Sequence, residues 1–251
     1  MRMTKFKAVG LAAALGLLAT AAAAATPAIQ AALADPARPA ADRDRDGPRH
    51  AAEVLEFAGL KPGDKVADYM PGAGYFTRIF SAAVGPTGHV YATFPDFMAK
   101  FETKEVAAET ALVADPHYAN VSLATIPGGS FTTPEKVDLI WTSQNYHDLQ
   151  FGLSHDQIIA LDTAILADLK PGGTLLVIDH VAAPGTGWTV ARTLHRIEPA
   201  AILADMKEAG FRLDGESKVL RNPADPHDKL VFDPSIRGKT DQVVFRFKRP
   251  R

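Results

Sequence analysis

The sequence predicts an α/β fold in which a mostly parallel β-sheet is covered by helices on both faces. Apolar runs of strand length alternate with helical patterns from residue 51 to the end of the chain, and such alternation is typical of parallel strands joined by helical crossovers. Glycine and proline turns separate these segments, and 47% of the 251 residues are hydrophobic, which is enough for one large core. We therefore expect a single domain.

Residues 1–25 are expected to form an export signal. Arg2, Lys5 and Lys7 precede an apolar stretch over residues 8–18, and small residues follow over 19–25, which is the organisation of a cleaved signal peptide. A retained membrane anchor is the alternative, but the stretch is dominated by alanine and a span needs roughly 20 strongly apolar residues. The sequence thus predicts a periplasmic or secreted protein with no stable membrane insertion after cleavage.

The next segments are expected to lie outside the core. Residues 26–41 are rich in alanine and proline without a sustained apolar face, which predicts a tether. Folding is expected to begin at Asp42, where the charged run DRDRDGPRH leads into a first helix. We interpret these charges as a solvated cap, and a contribution of Arg43, Arg49 or His50 to a ligand-binding mouth is the alternative.

From residue 51 onward, spacing of apolar residues at helix and strand periods predicts each element. The predicted helices cover 51–58, 75–84, 97–112, 155–169 and 193–209. The predicted strands cover 65–70, 89–93, 121–126, 137–142, 174–179, 211–219 and 242–248. A long loop with little helical pattern joins the last two strands, which predicts an antiparallel terminal pair. One domain over residues 42–251 follows.

Composition excludes several classes of partner and site. The formal net charge of −2 provides no broad basic field, so neither nucleic acid nor an anionic membrane is expected as a partner. The absence of cysteine excludes disulfides, thiolate metal sites and thiol nucleophiles. A small-molecule substrate is the remaining expectation, and nothing in the sequence sets the oligomeric state.

Residues 65–77, KVADYMPGAGYFT, carry the strongest functional signal. An apolar strand reaches Asp68, breaks into a turn that contains Gly72 and Gly74, and continues as a helix. Such a turn lets a ligand approach bare backbone and meet the N–H groups at the helix start. A tight turn without a ligand is the alternative.

Two further strand ends carry candidate catalytic residues, because ligands of open α/β sheets bind at the carboxyl ends of strands. Residues 143–148, SQNYHD, follow one predicted strand and supply Tyr146, His147 and Asp148, while His180 ends the next strand. The adjacent His and Asp are suited to acid/base chemistry or to orienting a substrate. Helix capping by Asn145 and Asp148, with Tyr146 packed on the sheet, is the alternative.

These histidines also raise the question of a metal ion. His195 and Glu198 are three residues apart on a predicted helix, so they would lie on the same helix face and could add ligands. The spacing is diffuse and no HExxH motif is present. We therefore predict hydrogen-bonded polar residues and no metal site, with a metal as the alternative.

Taken in order, several segments resemble the class I S-adenosylmethionine-dependent methyltransferases across nearly the whole chain after residue 41. These segments are VADYMPGAGYFT, HVYATFPDF, KVDLIWTSQNYHDL, LKPGGTLLVIDH and MKEAGFRL. The leader DRDRDGPRH and the tail over residues 221–245 resemble a little-characterised exported bacterial group of predicted methyltransferases. The resemblance implies a Rossmann-like methyltransferase fold with a seven-stranded sheet and an antiparallel terminal strand.

The resemblance also implies a cofactor, S-adenosylmethionine, and residues that would bind it. These are Asp68, Met70, Gly72, Gly74, Asp96 and Asn145. Met70 stands where the family has its first glycine. The second strand ends in Thr93 without the usual carboxylate, so either Asp96 reaches back two or three positions to the ribose hydroxyls or the ribose loses its carboxylate partner.

The function implied is methyl transfer to an unidentified small molecule. The alternative is an exported binding protein or hydrolase-like enzyme that keeps the fold, has lost S-adenosylmethionine and uses a His-rich crevice. The polar loop over residues 221–240 is either a lid or binding loop, or an ordered surface loop built from Asx-Pro turns.

Overall fold

The computed structural model describes residues 25–251, which form a seven-stranded sheet between two layers of helices. The strands are β1 (Lys65–Tyr69), β2 (His89–Pro95), β3 (Val121–Ile126), β4 (Val137–Ser143), β5 (Leu169–His180), β6 (Arg212–Ser217) and β7 (Gln242–Lys248). Their order in the sheet is β3-β2-β1-β4-β5-β7-β6. β7 runs antiparallel to both of its neighbours, and the pairs among β1 to β5 are parallel. The predicted fold class is confirmed, whereas the predicted signal peptide lies outside the described residues apart from Ala25.

Helices cover both faces of this sheet. They are α1 (Pro27–Leu33), α2 (Ala40–Arg43), α3 (Ala51–Ala58), α4 (Tyr75–Val84), α5 (Asp96–Ala99), α6 (Thr103–Val113), α7 (His155–Asp168), α8 (Ala191–Leu194) and α9 (Pro199–Glu208). Side chains that alternate along the strands enter two separate cores. Leu176 and Ile178 of β5 pack with the α1, α3 and α4 side, whereas Leu175 and Val177 pack with α7 and α9.

The prediction of a tether over residues 26–41 is wrong. Thr26 caps α1 through its side chain, and Ile29 and Ala32 are buried in the core against α3 and α4. Arg38 is 1% exposed and forms a bidentate ion pair with Asp46 at 2.6 and 2.9 Å. The two apolar residues of α1 are too few to produce a periodic signal, yet they fit the groove between two larger helices.

Two predicted helices are broken in the structure. The segment predicted as 193–209 ends α8 at Leu194, passes through His195 in the left-handed region at φ 52°, and restarts at Pro199. Glu198 precedes α9 and accepts a hydrogen bond from the backbone N–H of Gly187 at 2.7 Å. His195 and Glu198 therefore do not share a helix face, because proline starts a new helix there.

The segment predicted as 97–112 is also divided, since the chain turns at Phe101 and Glu102 between α5 and α6. This turn directs Glu102 toward the carboxyl ends of the strands. Within residues 25–251, no helix combines the length and apolar character that a membrane span requires.

Candidate functional site

Three connected cavities lie at the carboxyl ends of β1, β4 and β5, the edge where ligands of such sheets bind. The turn cavity, about 190 Å³, adjoins residues 70–73 after β1. The arginine cavity, about 550 Å³, contains Arg45, Arg49 and Arg237 in its wall. The histidine cavity, about 480 Å³, is bounded by His147, His180 and His195. Gln144, which follows β4 at φ 63°, lines all three and makes them one crevice.

The turn after β1 has a run of positive backbone φ angles, although Met70 stands where the resemblance implies a glycine. Met70 adopts φ 55°, is 4% exposed and packs its side chain in the core. Gly72 adopts φ 62°, and a Cβ placed there would meet no atom within 4 Å, so its α-carbon faces open space in the turn cavity. Met70 thus supplies a glycine-like conformation at a cost in backbone strain.

Gly74 has a different role from the one predicted. It precedes α4 at φ 84°, and a Cβ there would approach Glu109 Oε1 and Leu112 Cδ1 at 2.9 Å. Gly74 does not line the turn cavity. Its lack of a side chain allows α6 to pack closely against the turn.

Asp68 ends β1 beside this turn and shares a buried polar cluster. The Thr77 hydroxyl lies 2.9 Å from Asp68 Oδ2 and 2.7 Å from Glu109 Oε1. Burial and the neighbouring carboxyl raise the pKa of Asp68 to about 8, and burial raises the pKa of Glu109 to about 7. Because a hydroxyl has a single proton, one of the two carboxyl groups must be protonated for all three groups to be satisfied.

The structure does not bring Asp96 to the cofactor side. Asp96 starts α5, and its Oδ1 accepts a hydrogen bond from the backbone N–H of Gly128 at 3.0 Å. Thr93 is buried and its carbonyl accepts from Met70 N at 2.8 Å. The prediction that Asp96 reaches back to a ligand is wrong, because capping of the loop after β3 holds it away from the turn cavity.

A carboxylate missed by sequence reasoning takes a place in that cavity. Glu102 lines both the turn cavity and the histidine cavity, and its Oε2 is buried without a hydrogen-bond partner among residues 25–251. Burial, with Glu105 and Asp148 nearby, raises the pKa of Glu102 to about 7. Its position in a predicted helix gave no signal that the chain turns there.

Asn145 faces the turn cavity, whereas the next residue, Tyr146, faces the core. Asn145 lines the turn cavity and donates through Nδ2 to the carbonyl of Met70 at 2.7 Å, which ties the end of β4 to the β1 turn. Tyr146 is directed into the core, where its hydroxyl donates to Asp162 at 2.7 Å. The prediction of Tyr146 as a catalytic residue is wrong, because its hydroxyl bonds a buried carboxyl on α7 and lines none of the three cavities.

His147, Asp148 and His180 do come together. His147 Nδ1 lies 2.6 Å from Asp179 Oδ1, and Asp179 is fully buried at the end of β5. Burial alone would lower the pKa of His147, but Asp179 and Asp148 raise it to about 10. Burial would raise the pKa of Asp148, but contacts with His147 and His195 lower it to about 2.

His180 contributes a neutral imidazole next to this pair. Its ring centroid is 6.0 Å from that of His147, and its Nδ1 lies 2.8 Å from the Thr240 hydroxyl. Burial, which outweighs the attraction of Asp179, lowers the pKa of His180 to about 4. At neutral pH, His147 is therefore protonated, whereas the neighbouring His180 is neutral.

His195 completes the cluster from α8. Its Nδ1 lies 3.2 Å from His147 Nε2 and 3.0 Å from Asp148 Oδ1, and its left-handed backbone turns the ring toward them. The ring packs against Phe151 and Phe232, with centroids 5.4 and 5.1 Å away. The sequence predicts that His195 lies beside Glu198 on a continuous helix, whereas its neighbours in the structure are His147 and Asp148.

The leader contributes Arg49 to the cavity walls, as the alternative interpretation of residues 42–50 predicts. The Arg49 guanidinium stacks 4.6 Å from the Tyr75 ring centroid, and Nη2 donates to Gln144 at 3.3 Å. Burial lowers the pKa of Arg49 to about 10. Arg49 lines both the turn cavity and the arginine cavity, whereas Arg43 donates to the Arg38 carbonyl and lines neither.

The loop over residues 221–240 contains Asx turns and also contributes to the cavity walls. Asx turns form at Asn222 and Asp233, whose side chains accept from backbone two residues later. The same loop supplies Val231, Phe232 and Arg237 to the cavity walls. Its fixed point is a buried bidentate ion pair between Asp225 and Arg196, at 2.8 and 3.0 Å.

Comparison with known proteins identifies relatives in sequence. The chain is 35% identical over 132 residues to the ubiquinone/menaquinone biosynthesis C-methyltransferase of Shewanella pealeana, covering 50% of this chain and 46% of the relative. The enzyme of the same name from Ectopseudomonas mendocina is 28% identical over 199 residues, covering 77% and 66%. The chain thus spans about half the length of most curated relatives it matches. No protein-family model matches the sequence.

Solved structures show the same fold at lower identity. A SAM-dependent methyltransferase from Aquifex aeolicus superposes with a TM-score of 0.57 at 21% identity, covering 87% of this chain and 96% of that one. The N-methyltransferase NodS from Bradyrhizobium japonicum superposes with a TM-score of 0.57 at 17% identity, covering 84% and 99%. The [4+2]-cyclase SpnF gives a TM-score of 0.58 at 16% identity, covering 81% and 80%. The chain therefore has the Rossmann-like α/β fold of these solved structures, and part of its sequence is similar to that of C-methyltransferases.

Proposed function

We propose that the protein is an S-adenosylmethionine-dependent methyltransferase that acts on a small molecule bound in the histidine cavity. The observation that carries this proposal is the turn after β1, where Gly72 exposes bare backbone to open space at the carboxyl edge of the sheet. The sequence relatives, named as C-methyltransferases, support the reaction type.

The residues around the turn cavity fit the cofactor in three respects. Gly72 leaves space for close approach to the backbone. Arg49, a mostly buried guanidinium whose polar partner is an amide oxygen, would bind the cofactor carboxylate. Glu102, with an unpartnered carboxylate oxygen, would accept from the ribose hydroxyls in place of the missing carboxylate of β2.

When bound, S-adenosylmethionine supplies a methyl group already activated by its sulfonium. The residues of this chain then have to align the acceptor and exclude water. Asn145 holds the β1 turn against the end of β4, and the histidine cavity offers an apolar wall of Met98, Phe151 and Phe232 beside the polar edge of His147 and Asp148. An apolar or aromatic acceptor with one polar group fits this division.

A second candidate function is favoured by the position of Asp96, which lies away from the turn cavity. Because Asp96 caps Gly128, the cofactor side lacks the carboxylate that the resemblance implies at the end of β2. A protein of this fold that has lost S-adenosylmethionine would use the histidine cavity for binding or for hydrolase-like chemistry. The structural neighbour named a [4+2]-cyclase illustrates that the fold alone does not set the reaction.

We also propose export through residues 1–25, with a periplasmic or secreted location. The support is the sequence pattern, together with the position of α1, which begins at Pro27 behind the Thr26 cap. Cleavage within residues 19–25 would leave this helix whole. Cell fractionation of a C-terminally tagged full chain should find the processed protein outside the cytoplasm, and an unprocessed cytoplasmic product would contradict the proposal.

Calorimetric titration of the full chain with S-adenosylmethionine and S-adenosylhomocysteine tests the function. Saturable binding of either supports a methyltransferase. A folded sample that binds neither would favour the second candidate.

The variant Gly72→Val should weaken this binding by roughly 10- to 100-fold, because overpacking a filled site costs about 1–3 kcal/mol. Gly59→Val is the matched control, since Gly59 also has a positive φ, 78°, and no neighbour within 4 Å of a Cβ, but lies at the end of α3 outside the three cavities. Equal affinity in both variants would remove Gly72 from the binding site.

A further inference from the structure

The cluster of His147, Asp148 and His195 brings three potential metal-ligand atoms together at the wall of the histidine cavity. Asp148 Oδ1 is 3.0 Å from His147 Nε2 and 3.0 Å from His195 Nδ1, and those two nitrogens are 3.2 Å apart. Although it is this close to both rings, Asp148 Oδ1 is buried without a well-aligned hydrogen bond from any residue in 25–251. Three potential ligand atoms thus form a nearly equilateral triangle, and metal binding would displace the proton that His147 Nε2 carries in the metal-free protein.

The size of this triangle matches the face of a metal coordination sphere. Two ligand atoms that each lie about 2.1 Å from a metal ion and subtend about 90° are about 3.0 Å apart, and at the tetrahedral angle they are about 3.4 Å apart. The observed separations are close to the first value. Two imidazoles and one carboxylate on one face are a ligand set that suits first-row transition metals.

The surroundings of the cluster are also those of a metal site. His147 has its second ring nitrogen, Nδ1, fixed by the buried carboxylate of Asp179 at 2.6 Å, and a metal-ligating histidine commonly donates its other N–H to such a group. Asp179 is itself held by the backbone N–H groups of His147 and His180 at 2.8 and 2.7 Å. His147 Nε2 is therefore left to face the cavity.

We propose that His147 Nε2, Asp148 Oδ1 and His195 Nδ1 bind one divalent transition-metal ion, such as Zn²⁺, at the wall of the histidine cavity. Three protein ligands on one face leave the remaining positions open toward the cavity, as in catalytic rather than structural sites. An oxygen of a molecule bound there would be polarised by the ion. The proposal depends on these side chains alone, so its test needs neither cofactor nor acceptor.

The test is titration of the full chain, freed of metal with a chelator, by Zn²⁺ in a calorimeter and by Co²⁺ with visible absorption. We expect one ion per chain and a Co²⁺ absorption that reports nitrogen and oxygen ligands. Mg²⁺ should bind much more weakly, since it prefers all-oxygen ligands. A folded protein that binds neither Zn²⁺ nor Co²⁺ would overturn the proposal and leave a hydrogen-bonded cluster.

Variants locate the ion. Asp179→Asn should weaken Zn²⁺ binding by about 10- to 100-fold, the usual cost of removing the group that orients a ligating histidine, and His195→Ala should weaken it further. His195 is one-quarter exposed, so its truncation is compatible with folding. His155→Ala is the matched control, because His155 also lies near a carboxylate, Asp205 at 3.4 Å, outside the cluster. Zn²⁺ affinity that is unchanged in His195→Ala would overturn the placement, and failure here would leave the methyltransferase proposal intact, since that is measured by cofactor binding.

Discussion

The two halves of the crevice are built by different means. Beside β1, the turn cavity is shaped by backbone. Met70 and Gly72 adopt positive φ, and Asn145 donates a hydrogen bond to the carbonyl of Met70. Beside β4 and β5, the histidine cavity is shaped by side chains that fix one another, above all His147 with Asp179. A cavity formed by main-chain atoms can be built from several residue types, whereas a network of hydrogen-bonded side chains requires particular ones.

This difference teaches where specificity is expected to reside. A residue other than glycine can adopt the backbone of this turn, as Met70 at φ 55° demonstrates. The histidine cavity depends on the identity of each side chain in its network. It also depends on the loop over residues 221–240 that lines it, which the ion pair between Arg196 and Asp225 anchors. Changes to the histidine cavity should therefore have the larger effects.

The largest effect is expected where the loop over the histidine cavity is anchored. Asp225→Ala leaves the guanidinium of Arg196, which is 0% exposed, without its ion-pair partner. Removal of one member of a buried pair costs about 3–5 kcal/mol, and urea denaturation measures it. Asp228→Ala, an exposed aspartate of the same loop, should change the free energy of unfolding by less than about 0.5 kcal/mol. Equal losses in the two variants would mean that the anchor is not specific.

A second prediction concerns pH in the turn half. The pKa of Asp68 is raised to about 8 by burial and by Glu109, well above its unfolded-state value of about 3.9. Protonated Asp68 therefore stabilises the fold at low pH, and this contribution is lost as the pH rises toward about 8. Glu109 from α6, Thr77 from α4 and Arg49 from the leader are the polar groups that face it.

Asp68→Asn mimics the protonated acid, so its free energy of unfolding should fall less steeply with pH than that of the parent. One proton taken up on folding corresponds to about 1.4 kcal/mol per pH unit between the two pKa values. Denaturation of both proteins between about pH 5 and about pH 8 measures the difference. Parallel curves would show that Asp68 is ionised throughout.

The smallest effect is expected at Glu102, which stands between the two halves. Glu102→Gln keeps the shape but weakens hydrogen bonds from ribose hydroxyls, so affinity for S-adenosylmethionine should fall by roughly 3- to 10-fold, about 1 kcal/mol. Glu105→Gln, three residues farther along α6 and outside the cavity walls, is the control. A loss shared equally by the two would indicate a general charge effect instead of a ribose contact.

Much of the fold could be predicted because its signals are local. Strand and helix periods in the chain after residue 51 gave the parallel sheet, and the patternless loop before β7 gave the antiparallel pair. The failures have physical reasons. Pro199 restarts a helix that apolar spacing alone continues, and α1 is held by tertiary packing of Ile29 and Ala32 that no short pattern reveals.

The site could be predicted in part for a related reason. Topology brings the ends of β4 and β5 together, so the proximity of His147, Asp148 and His180 can be predicted from the strand ends. Side-chain direction could not be read in the same way: Tyr146 enters the core, Asp96 caps Gly128, and Glu102 turns inward where the helix breaks. Which of several polar neighbours faces a cavity depends on contacts made by distant segments.

The crevice combines residues that are far apart in the sequence, and this has a consequence for when the crevice forms during folding. Arg49 belongs to the leader, whereas Gln242 begins β7, which lies between β5 and β6, and Thr240 lies just before it. These contacts join residues far apart in sequence, and forming such non-local contacts requires the closure of long loops at a cost in chain entropy. The central strands can pair first, but a ligand would find a complete site only once the final strand has entered the sheet, so binding would select finished molecules over truncated or partly folded ones.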